Sequence, residues 1–212
     1  MKKSNRIVLK ELLSIIICLT IIQLLFIGIK QGVFCFYPET LYSRSMVMMF
    51  TMIVCLVIMI IYCRWRKCSY NFFPKVFGYL YIIITIIAVI FYVVTLFWVK
   101  TFSFENSLIF FYGSIVTPVF EELLFRGIIW TKVNECINKE WKTYLVVTVL
   151  FALWHIGYAV GIYLWSGGNL FICIVMKVIF GAGFGLIMGA IRCKTKNCYL
   201  GILVHGILNI FG

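Results

Sequence analysis

Six ionisable side chains and one amide stand inside the apolar runs of this sequence: Glu121, Glu122, Arg126, His155, Lys177, His205 and Asn209. The chain has two histidines in all, and both are in this set. Charged groups are costly in hydrocarbon, so each one marks a candidate functional site. The residue types suit hydrolysis. A carboxylate and an imidazole can together take a proton from water and later return one to a leaving group. A second imidazole and an amide can donate to a developing oxyanion. No serine stands convincingly beside these groups as a nucleophile, and Cys173 has no motif around it, so activated water is the economical reading.

The spacing restricts the geometry. Glu122 and Arg126 are an i,i+4 pair on one helix face, so the guanidinium can neutralise and hold Glu122 and leave Glu121 on the adjacent face. Phe151 and His155 share the same spacing, as do His205 and Asn209. Pro118, three residues before Glu121, can loosen the backbone hydrogen bonds of its helix. Depth agrees across helices. At 1.5 Å per residue, Glu121 lies roughly 14 Å from the end of its run at Trp130, and His155 roughly 16 Å from Tyr144. His205 lies roughly 9 Å from Tyr199, and Asn209 roughly 15 Å. Three helices thus bring their polar groups to one level, in the cytoplasmic half or near the midplane, with the site expected to open toward the cytoplasm.

The elements that must hold these groups are membrane helices. Of the 212 residues 64% are hydrophobic and 12% charged, with a mean hydropathy of +1.08. A soluble domain has roughly 45–50% apolar and about 25% charged residues. A span takes roughly 20 residues, and apolar runs fall at about 12–29, 46–63, 76–99, 108–130, 144–165, 170–191 and 199–211. The expected fold is an all-α, polytopic bundle of about seven spans: three N-terminal helices over residues 1–107 and a catalytic bundle over 108–212. The first run, behind Lys2, Lys3, Arg6 and Lys10, has no small-residue cleavage site after it and is read as an uncleaved span. The net charge of +12 is no sign of nucleic acid, because the basic residues cluster in short loops. With the N-terminus cytoplasmic, fourteen Lys and Arg lie inside and three (Lys30, Arg44 and Lys100) outside, the bias that orients membrane proteins.

Three motifs then stand in order. Glu121-Glu122-Leu123-Leu124-Phe125-Arg126 resembles the EExxxR motif of the CAAX protease and bacteriocin-processing (CPBP, or Abi) family. Phe151–His155 resembles its FxxxH motif, and His205–Asn209 its HxxxN motif. The resemblance covers about 108–212 with no departure at a motif position. It implies a membrane endopeptidase in which Glu121 and His155 activate water, His205 and Asn209 stabilise the oxyanion, and Glu122 and Arg126 support them. Members are often labelled metalloproteases, yet the same residues can work without metal. No cofactor is required by the sequence, although Glu121, His155 and His205 could ligate zinc, in the absence of HExxH. The implied partners are the lipid bilayer and a membrane-associated peptide or protein substrate. The Lys- and Ile-rich composition suggests a bacterial cell membrane, which argues against a prenylated substrate and for bacteriocin processing or self-immunity.

Two other classes compete. A non-catalytic bacteriocin-immunity or interaction protein would use the same helices only to bind. A transporter with a Glu/His proton relay is disfavoured because no inverted repeat is visible. Elsewhere the readings are structural. Gly181, Gly185 and Gly189 form a GxxxGxxxG ridge for close helix packing. Lys177 is read as reaching a carbonyl or carboxylate. The nine cysteines are read as reduced thiols, and Tyr37, Tyr42, Trp65, Trp98, Trp141 and Trp165 as interfacial aromatics.

Overall fold

A computed structural model describes residues 2–68, 71–99 and 103–211. Lys100 lies outside the described residues, as do the side chains of Lys2, Lys3 and Trp98. Every regular element among the described residues is helical: α1 (Lys2–Phe34), α2 (Leu41–Trp65), α3 (Tyr79–Val94), α4 (Phe104–Phe111), α5 (Thr117–Glu122), α6 (Trp130–Ile137), α7 (Glu140–Ser166), α8 (Leu170–Thr195) and α9 (Tyr199–Leu208). Wider π-helical turns, Tyr112–Val116 and Leu123–Ile129, join α4, α5 and α6 into one rod from Phe104 to Ile137. Six helices are long and apolar enough to cross a membrane, and α9 is a seventh, shorter apolar helix. The chain is a polytopic helix bundle.

Several helices run past the apolar segments that announced them, because stop signals and not hydropathy end a helix. The fourth span was expected at 108–130 but continues to Ile137, where Asn138 turns left-handed (φ 52°). Thr40 and Ser43 cap the start of α2 reciprocally, satisfying backbone groups that a helix end leaves open. Asn169 caps α8 from one side, accepting from the Ile172 amide at 3.1 Å.

The Phe104–Ile137 rod and α7 are the most buried spans, 50% and 44% of their apolar windows against 11–28% for the others, so they form the centre. Phe120, Phe125, Phe151 and Trp154 interlock there with Phe26 of α1 and Met52 of α2. Most aliphatic side chains of α1–α3 face outward, and on α3 only Ala88 is buried within the helix, the pattern of a lipid-facing surface. Helix α3 docks on α9 through hydroxyls: Tyr92 donates to the Leu203 carbonyl at 2.9 Å, and Thr85 and Tyr199 pair at 2.9 Å.

The glycine ridge packs α8 onto α7. A methyl added at Gly185 would stand 3.0 Å from the Thr148 side chain, and one at Gly189 would collide with the Tyr144 ring. Gln23 of α1, isolated in sequence, donates to the Trp154 carbonyl at 3.0 Å across the bundle and fills the space that Gly157 leaves. All nine cysteines are free thiols.

Candidate active site

Pro118 explains the backbone of the glutamate helix. In a π turn the Thr117 N–H reaches back to the Tyr112 carbonyl. The next donor in that register would be residue 118, and proline has none. The Gly113 carbonyl, left without that donor, accepts from Asn209 Nδ2 at 2.9 Å. The backbone opening also lets α9 come close: a methyl at Gly206 would collide with the Ser114 carbonyl. A helix break made by proline thus becomes the dock for the HxxxN helix, and one of the two Asn209 amide hydrogens is committed to it.

The carboxylates lie on different faces of the rod and have different partners. Both are 1% exposed. Glu121 Oε1 accepts from Trp154 Nε1 at 3.0 Å and from Tyr158 Oη at 2.6 Å. Glu121 Oε2 lies 3.7 Å from His205 Nε2, beyond direct hydrogen bonding. Glu122 Oε1 pairs with His205 Nδ1 at 2.9 Å and with Arg126 at 3.2 Å. The Arg126 guanidinium stacks 4.1 Å from the Phe151 ring centre and donates to the Gly185 carbonyl at 3.4 Å. Phe151 also meets His155 and His205 edge-on, with centroids 4.8 and 6.0 Å apart. The aromatic of the FxxxH motif is therefore the surface against which Arg126 and both imidazoles pack.

His155 Nδ1 lies 2.8 Å from the Phe151 carbonyl. A carbonyl only accepts, so Nδ1 carries the hydrogen, and the neutral ring has its lone pair on Nε2. Gly181 backs this ring: a methyl there would stand 2.7 Å from His155 Nδ1 and 3.2 Å from the Ala152 backbone. We expect Gly181→Ala to push the imidazole off its carbonyl and lower turnover at least tenfold, while a methyl at the exposed Gly183, which meets nothing within 4 Å, leaves it unchanged. Parallel rate measurements on the two variants check this.

Glu121, His155, His205 and Asn209 line one cavity of about 570 Å³, while Glu122 and Arg126 stand behind it. Ser45 also reaches the cavity, but its hydroxyl donates to the Leu41 carbonyl at 2.8 Å, which leaves it poorly placed as a nucleophile. No group of three or more His, Cys, Asp or Glu with metal-holding geometry occurs among the described residues.

Residues 102–211, just over half of the chain, match the sequence profile of the Rce1-like family, described as type II CAAX prenyl endopeptidase Rce1-like. The chain belongs to that family. No curated protein and no solved structure matches it. Rce1-like membership makes it a membrane endopeptidase in kind, and all three motifs fall inside the matched segment. The Rce1-like segment does not enclose the cavity alone. Lys30 of α1 and Leu41, Arg44, Ser45 and Met48 of α2 complete the wall, although sequence reasoning took these helices as generic spans and counted Lys30 and Arg44 as loop charges. It also missed Trp154 and Tyr158, the two donors to Glu121. The signal was present, since Trp154 sits inside the FxxxH motif and Tyr158 one turn beyond it.

The direction of opening differs from the sequence expectation. The cavity reaches Lys30 near the end of α1, Leu41 at the start of α2, Ile162 and Trp165 at the end of α7, and Lys177 near the start of α8. These helix ends are opposite the basic clusters. At the basic end Trp130, Val133, Val147, Arg192, Asn197 and Cys198 are all buried and close the bundle. Depth along a helix places a side chain at a level but does not say which end of the bundle is plugged.

Proposed function

We propose that this chain hydrolyses a peptide bond of a membrane-associated substrate with water activated by Glu121 and His155, and without a metal. The observation that carries the proposal is the unequal treatment of the two Glu121 oxygens. Trp154 and Tyr158 hold Oε1, so the carboxylate is aimed and Oε2 is the oxygen available to the attacking water. Oε2 takes a proton as the water oxygen bonds to the carbonyl carbon. That proton then passes to the amide nitrogen as the C–N bond breaks, and His155 Nε2 is the second base of the relay. The developing oxyanion meets the remaining Asn209 N–H and the His205 ring. Glu122 holds His205 through Nδ1 and thereby sets which way Nε2 faces, as the carboxylate of a hydrolytic triad does. For Nε2 to donate as well, the ring must carry both hydrogens, and that imidazolium faces two carboxylates and one guanidinium.

The basic clusters support a cytoplasmic N-terminus, and the Lys- and Ile-rich composition supports a bacterial cell membrane. The cavity then opens on the outer face, and a peptide delivered there, as in bacteriocin processing or self-immunity, fits it. Cys35, exposed in the turn after α1, reports the orientation. In intact cells an impermeant maleimide should label the wild type, and Cys35→Ser should remove that signal. Labelling of Cys35 only after permeabilisation overturns the orientation.

Activity is read on a membrane-tethered peptide library presented to the wild type and to His155→Ala, each dialysed against a chelator. Cleavage by the chelated wild type and its loss in the variant are expected. Equal cleavage by both removes His155 from the chemistry, and a rate restored only by added zinc replaces the metal-free route.

A further inference from the structure

The cavity wall contains a cation that the chemistry above does not use. Lys30 is 9% exposed on α1, and among the described residues its ammonium forms no ion pair. Its Nζ lies against α7 where Gly161 leaves room, since a methyl there would stand 2.7 Å from it. The nearby carboxylate, Glu39, is already engaged by Arg44 at 2.6 Å. Arg44 is itself fixed: it donates to the Gly161 carbonyl at 3.3 Å and stacks 4.3 Å from the Trp165 ring. Lys177 on α8 adds a third cation to the same wall. A lone ammonium at this depth costs several kcal/mol unless something pairs with it. Packing that reserves space for one at a cavity mouth is the construction of an anion site.

We propose that Lys30, with Arg44 and Lys177 beside it, is a carboxylate-binding subsite that fixes the peptide substrate by an anionic group a few residues from the bond to be cut. This rests on the peptidase reading of the cavity. A volume of about 570 Å³ is that of a small-ligand pocket and takes a short peptide segment. The carboxylate can be the peptide's own C-terminus or an acidic side chain. In both cases an ammonium–carboxylate contact, shielded from water, is a charge-assisted hydrogen bond and among the stronger polar contacts. Lys30 and Arg44 come from helices outside the Rce1-like segment, so this subsite would set specificity for this chain and not for the chemistry.

The test is binding to the full-length chain in liposomes, in a Glu121→Gln background so that no probe is consumed. The probes are dansylated apolar tetrapeptides in three forms: free acid, C-terminal amide, and amide with one glutamate. The free acid should bind about tenfold more tightly than the amide, and Lys30→Gln should abolish that difference while Lys30→Arg restores it. If the glutamate amide recovers the affinity, the side-chain carboxylate is the natural anchor; if it does not, the C-terminus is. Lys30→Gln should also raise the thermal stability of the peptide-free protein, because it removes an unpaired buried charge. Equal affinity of the Lys30→Gln protein and its parent for all three probes overturns the proposal. A charge preference in a chain whose wild type cleaves nothing keeps the subsite and sinks the peptidase reading, whereas cleavage indifferent to charge does the reverse.

Discussion

Glu121→Gln is expected to lower kcat on a tethered peptide by about 10²–10⁴-fold, the range for loss of a positioned general base, with KM changed much less. The replacement is close to isosteric. Its carbonyl oxygen can still accept from Trp154 and Tyr158, which hold the native Oε1 at 3.0 and 2.6 Å, so the helix and cavity should remain in place. What the amide cannot do is take a proton at the other position. A fall in kcat at constant KM marks an interaction made in the transition state and not in the ground state. Glu121→Asp should also be impaired, because its shorter side chain withdraws the carboxylate from both donors. Wild-type kcat in the Gln variant would remove Glu121 from the chemistry and leave the cavity to a binding role.

Arg126→Met is expected to destabilise the fold by about 3–5 kcal/mol, the range for removing one partner of a buried ion pair. Both partners are 1% exposed, and the pair spans a single helical turn at 3.2 Å. Without the guanidinium, the Glu122 charge would rest on His205 alone, and its Oε2 already has no hydrogen-bond partner. Phe151 would also lose the cation stacked at 4.1 Å, and the Gly185 carbonyl would lose one of its two side-chain donors, Thr148 remaining at 3.2 Å. Two helices would therefore be disturbed as well as the pair. The measurement is thermal unfolding in detergent with the double variant Glu122→Gln/Arg126→Met alongside. If the cost is chiefly the orphaned carboxylate, the double variant should recover much of it, and the cycle isolates that coupling. A double variant as unstable as Arg126→Met would assign the loss to packing around Phe151.

Arg126 and Glu121 also separate what sequence can decide from what it cannot. The i,i+4 spacing of Glu122 and Arg126 follows from 3.6 residues per turn, so their pairing and the splitting of the two glutamates onto different faces were legible without a fold. The polar residues were conspicuous for a related reason: hydrocarbon penalises each of them, so those present are few and point to a site. Hydropathy likewise determined the bundle and its approximate spans, although it misjudged ends set by caps such as Thr40 and Asn138.

The rest depended on rotation and docking between helices, which packing of whole surfaces decides. No spacing in the chain says that Trp154 and Tyr158 turn toward Glu121, or that Asn209 takes up the carbonyl left without a donor by Pro118. Nor does any spacing say that Lys30, more than ninety residues before Glu121, joins the same cavity. The motifs thus carried the polar residues of the candidate site, because local helix geometry repeats everywhere. The opening of the cavity and the charges at its mouth belong to tertiary structure, because they depend on which helix ends pack shut and which stand apart.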